Sequence, residues 1–79
     1  MKVFVAKTLV ESIDSNSCSV NLFTNEADAI KFADEEIDNY AMDYDDGAVM
    51  ERSPHYYLMQ SGDVYVSIEI EEHEINAIP

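Results

Sequence analysis

The sequence predicts a two-layer α+β domain, a four-stranded antiparallel sheet packed on one helix in the order strand, strand, helix, strand, strand. Three observations lead there. From Asn25 to Gly47, apolar residues recur at Ala27, Ile30, Ala33, Ile37, Ala41 and Tyr44, the three-and-four spacing of one helix side. Ser17–Phe23 and Val64–Ile70 alternate apolar and polar with period two, as half-covered strands do. Between the apolar stretches lie clusters of Ser, Asn, Asp and Gly, which favour turns.

Taken in order, Lys2–Val10 is rich in Val, Phe and Leu and reads as a first strand with both faces partly covered. Glu11–Ser17 is a turn-forming connection, because its side chains can bond their own backbone. The second strand follows, with Cys18, Val20 and Leu22 on one side and Ser19 and Asn21 on the other, so Cys18 is expected to be buried as a small apolar residue. Thr24 or Asn25 can cap the helix, and Glu26 and Asp28 suit the positive end of its dipole. Asp43, Asp45 and Asp46 oppose the negative end, and Gly47 is a natural stop, so the helix is expected to fray after about Asp43.

Ala48–Pro54 breaks the periodicity and contains a proline, which points to a loop. His55–Gln60 is aromatic and reads as the third strand. Ser61, Gly62 and Asp63 make a tight turn into the fourth, where Val64, Val66, Ile68 and Ile70 face in and Tyr65, Ser67, Glu69 and Glu71 face out. The remaining EEHEINAIP extends that strand into a flexible end.

At 79 residues, the expectation is one domain spanning 1–79, small enough that a homodimer is one way to bury more surface. A hydrophobic fraction of 47% supports a folded chain. The four Lys and Arg against 17 Asp and Glu give a net charge of −13, a field that repels nucleic acid and anionic membranes and attracts basic partners. The single cysteine, the absence of a long apolar run and the lack of a signal-peptide pattern after Met1 point to the reducing cytoplasm.

Catalytic and metal patterns are missing from the sequence. With Gly47 in the invariant sixth position of a calcium loop, Met42, Tyr44 and Ser53 would stand where oxygen ligands belong. His55, His73 and Cys18 are too scattered for a zinc site. Two glycines cannot form a phosphate loop, and no serine sits in a nucleophile elbow. Five tyrosines, Tyr40, Tyr44, Tyr56, Tyr57 and Tyr65, are expected to pack in the core or on the sheet. The expected activity is therefore binding, without enzyme chemistry or cofactor.

The acids carry the sharper expectation. Acidic neighbours three or four apart on a helix repel by a few tenths of a kcal/mol per pair, so stability alone would favour interleaved lysines. Instead Asp28, Asp34, Glu35, Glu36, Asp38, Asp43, Asp45 and Asp46 share their arc with only Lys31. Phe32 projects onto that acidic side, where it either anchors an interface or is reached by a broad core. The helical turn of about 5.4 Å and the two-residue strand repeat of roughly 6.6 Å both come near the phosphate spacing of one nucleic-acid strand. Rows formed by the helix acids, with Glu69, Glu71, Glu72 and Glu74, could then occupy a basic nucleic-acid-binding cleft.

The opening MKVFVA, the junction LFTNEADA and the acidic remainder resemble short acidic proteins of phages and mobile elements with the same strand-strand-helix-strand-strand plan. The likeness covers most of the chain and is carried by pattern. It implies a nucleic-acid mimic of anti-CRISPR or anti-restriction type, whose partner would be a CRISPR effector or restriction enzyme. The second reading is a small interaction module that uses a sheet edge or the tyrosine-rich hairpin, its acids serving solubility.

Overall fold

The computed structural model of the chain describes residues 1–44 and 46–75. The class is α+β, with one helix and an antiparallel sheet, and the sheet has five strands rather than four. The strands are β1 (Lys2–Glu11), β2 (Asn16–Phe23), β3 (Ala48–Ser53), β4 (Tyr56–Ser61) and β5 (Val64–Glu74), in the spatial order β2-β1-β5-β4-β3. The helix α1 (Glu26–Asp43) crosses between β2 and β3, the two sheet edges.

The additional strand is β3, in the segment expected to be a loop. Its pairing with β4 shifts register between Val49 and Glu51. A bulge of this kind puts one extra residue, Met50, into the strand and destroys the period-two signal. Pro54 then falls in the two-residue turn with His55, outside the ladder, where the missing N–H is harmless. The second hairpin closes through Gly62 and Asp63, with Gly62 at φ 56° and Asp63 at negative φ. That pattern is the type II′ form, whose twist matches the flanking strands.

Asn25 is the helix cap: its Oδ1 accepts from the N–H of Ala27 at 2.8 Å and of Asp28 at 3.4 Å. The far end stops at Asp43, followed by Tyr44 in an extended conformation. Gly47 matters there for a reason other than left-handed geometry. A Cβ on it would lie 2.5 Å from the carbonyl oxygen of Ala41, so only glycine lets the chain pass this close beneath the helix.

One helix covers one face of the sheet. Alternation along β1 sends Phe4, Ala6 and Thr8 to that face, joined by Tyr57 and Met59 of β4 and by Val66, Ile68 and Ile70 of β5. From α1 come Ala29, Ala33 and Ile37, spaced four apart, all with no exposed surface. The two alanines let the helix approach the sheet closely, while Ala27, expected in this stripe, is exposed. The helix packs chiefly over β4 and β5 and only lightly on β2.

Among the described residues, no element packs on the opposite face of the sheet. The register pairs Val5 with Leu22, Lys7 with Val20 and Leu9 with Cys18, placing the apolar side of β2 on this open face. Cys18, expected to be buried, is exposed, as are Val20 at 54% and Leu22 at 68%. Alternation correctly separated the two sides of β2, but neither side is covered; only Phe23 at the strand's end joins the core margin.

Candidate functional site

The helix surface is the candidate site, and its geometry sorts the sequence candidates into groups. Phe32 belongs to the fold: its ring lies 5.3 Å from that of Phe23, packed against the core. It closes the gap between helix and β2, so it is not an exposed anchor. On the opposite flank, Arg52 of β3 donates through Nη1 to Asp34 and through Nη2 to Asp38 at 2.6 Å. Hydrogen bonds to both carboxylates, Asp38 first, raise the guanidinium pKa above its usual value. Asp34 and Asp38 are one helical turn apart, which is why one forked side chain reaches both. Asp38, expected to face a partner, is thus already engaged within the chain.

Asp46 is also partly internal, since its Oδ1 accepts from Ser61 Oγ and ties the helix-to-β3 connection to β4. Asp45 lies outside the described residues. What remains along the outer helix is Asp28, Glu35, Glu36 and Asp43, with no ion pair to any of them among the described residues. Asp28, Glu35 and Asp43 are exposed and Glu36 is half-buried. Lys31 shares this surface, and the last turn contains no basic residue.

Glu69 and Glu71 of β5 do not extend the helix array. Glu69 and Glu71 share the open face, whereas Glu72 pairs with Phe4 and so projects to the helix side. Helix acids and the Glu69–Glu71 row therefore lie on opposite sides of the sheet, because successive strand residues alternate faces. Three of the β5 carboxylates are matched by internal cations, Glu74 by the Met1 ammonium at 3.2 Å and the other two by lysines. Lys7 Nζ lies 2.5 Å from Glu71 and Lys2 Nζ 3.7 Å from Glu72. The hydrogen bond and charge of Lys7 hold the Glu71 carboxyl below its ordinary value, and Glu71 in turn raises Lys7.

At the helix start, His55 Nε2 lies 3.0 Å from Glu26, a second link from the β3–β4 hairpin to α1. Tyr40 and Tyr57 are raised above the usual phenol value, mainly by burial, consistent with packing roles. A shallow hollow between the β1–β2 and β4–β5 turns is lined by Glu11, Ser12, Ile13, Asp63 and Tyr65, two acids without a base between them. Among the described residues no cluster could hold a metal ion, and no helix is long and apolar enough to cross a membrane.

Sequence reasoning missed the role of Arg52, because it read that segment as a loop. It also missed the lack of charge on β2. No Asp, Glu, Lys or Arg occurs in Asn16–Phe23, in a chain where such residues make up 27%. No protein-family model matches the chain, and no curated protein or solved structure matches it significantly. The likeness to short acidic phage proteins accordingly rests on sequence pattern alone.

Proposed function

We propose that this protein is a non-enzymatic, acidic binding protein that offers the outer surface of α1 to a basic nucleic-acid-binding cleft, as a nucleic-acid mimic. A single observation carries the reading. Among the described residues Asp28, Glu35, Glu36 and Asp43 have no ion pair, while Arg52 and Lys7 bind carboxylates elsewhere. Asp43 stands in the last helical turn with no base beside it, where the helix dipole makes a carboxylate unfavourable. Stability does not explain that placement; attraction to an external cation does.

Spacing supports the same reading. Asp28 and Glu35 are seven residues apart, as are Glu36 and Asp43. At about 1.5 Å rise per residue each step is roughly 10.5 Å, near three times the axial rise of about 3.4 Å per phosphate of one duplex strand. The class of partner is a protein that grips nucleic acid, of which CRISPR effectors and restriction enzymes are the kinds implied by the phage resemblance. The Glu69–Glu71 row is excluded from this contact because it faces the other way.

The test is capture of bacterial proteins on the immobilised chain at low and moderate salt, with duplex DNA or guide RNA as competitor. The expected result is a partner released by DNA or RNA and by salt, and lost on Asp28→Lys, Glu35→Lys and Asp43→Lys combined. Arg52→Gln, which frees two further carboxylates, should strengthen capture. A partner that the triple variant retains at full strength would remove the mimic reading.

A further inference from the structure

We infer that the exposed edge of β2 is a self-association surface, on which a second copy of this chain adds its own β2 antiparallel to form a continuous ten-stranded sheet. The inference is independent of whether α1 binds a basic protein. Its first support is the edge itself. β2 is eight residues long, regular in its pairing with β1, and free of proline, charge and bulge. Its outer row of backbone N–H and C=O groups faces away from β1, which leaves a ready template for another strand.

Charge limits where a second copy can dock. Two chains of net charge −13 repel at almost any orientation, and self-association needs a contact strip that brings no carboxylates together. NSCSVNLF is such a strip. Lys7, which sits beside Val20 on the open face, is drawn toward Glu71 on β5 and so away from this edge. A two-fold axis perpendicular to the sheet makes the contact isologous and keeps both helices on the same face.

The sequence also fixes the register. Directly opposed residues of an antiparallel pair point to the same face, so the axis must pass through a residue rather than between two. Centring it on Val20 places Cys18 opposite Leu22 of the second copy, and Ser19 opposite Asn21. Apolar then meets apolar on the open face, continuous with Val5 and Leu9 of each β1, while on the helix face polar Ser19 meets polar Asn21 and, at the strand ends, Ser17 meets Phe23. With α1 centred over β5, the two helices stand about five strand spacings apart, roughly 24 Å. That exceeds the Debye length of about 10 Å at 0.1 M salt. Repulsion between the helices is therefore screened by ordinary salt and felt when salt is low.

The test is sedimentation equilibrium of the full chain from roughly 10 μM to 1 mM, at low and moderate salt. The expected result is a dimer whose association strengthens as salt rises, the opposite sign to capture of a basic partner. Val20→Lys, on an exposed site, should weaken it at least about tenfold with an unchanged circular dichroism spectrum. Val20→Cys in a Cys18→Ser background should cross-link on oxidation, since opposed residues have Cα atoms about 4.5–5.5 Å apart. The native Cys18 pair, four residues out of register, should not. A chain that stays monomeric throughout, or a dimer that Val20→Lys leaves unweakened, overturns the proposal. Cross-linking through Cys18 in preference to position 20 overturns the register.

Discussion

The two edges of the sheet are built in opposite ways. β3 is six residues long, carries Glu51 and Arg52, is interrupted by a bulge and ends against Pro54. Each of these features blunts an edge against pairing with another chain. It is also strapped down, since Arg52 reaches across to Asp34 and Asp38 and His55 to Glu26. β2 has none of these devices and receives no cover from the helix along most of its length. The contrast teaches that the chain has the means to protect an edge and applies it at one edge only.

The largest effect is expected where the protected edge begins. Gly47→Ala puts a methyl into the Ala41 carbonyl and should destabilise the fold by about 1–3 kcal/mol, read as a lower urea midpoint. Loss of β3 protection before that of β5 in hydrogen exchange would show that the damage is local. Thr8, on the strand beside β2, should respond the other way. Its hydroxyl is 2% exposed as a residue and has no hydrogen-bond partner among the described residues. Thr8→Val removes that unsatisfied group with little change of shape and should raise stability by about 1 kcal/mol. A destabilised Thr8→Val variant would mean that the hydroxyl has a partner after all.

Arg52→Ala should cost about 0.5–1 kcal/mol at most, because the strap is largely solvent-exposed. Its sharper signature is salt dependence: the difference from wild type should shrink as salt rises. Stability should also fall on acidification through the Lys7–Glu71 pair. Glu71 titrates below its ordinary value near 4.5 in the fold, so its contribution is complete above that pH and lost as pH drops through the lower folded value. Lys7→Met should flatten that part of the acid profile. The smallest effect on the folded monomer belongs to Val20→Lys, within about 0.5 kcal/mol, although it should weaken association at least about tenfold. A large loss of monomer stability there would mean that β2 is less free than its exposure indicates.

The elements were legible to different degrees, for identifiable reasons. The helix start, the inward face Val64–Ile70 and the Gly62–Asp63 turn follow from local chemistry: a capping side chain, a clean alternation and a residue able to take positive φ. β3 was hidden by one inserted residue, since a bulge erases the alternation by which strands are recognised. Candidate acids were equally visible in composition, yet Asp38, Glu71 and Glu72 turned out to be matched by Arg52, Lys7 and Lys2. No spacing rule relates those partners, because each pair joins different elements.

By itself, the sequence determined the charge, the amphipathic helix and the two-sidedness of each regular strand, all of which depend on near neighbours along the chain. Only the tertiary structure decided which side of a strand is covered. One helix of 18 residues can cover one face of five strands, and chiefly their middle. Strand order then sends β2 to the rim, so Cys18, Val20 and Leu22 have the pattern of a core and the exposure of a surface. Periodicity is a property of a segment, whereas burial needs another part of the molecule to arrive.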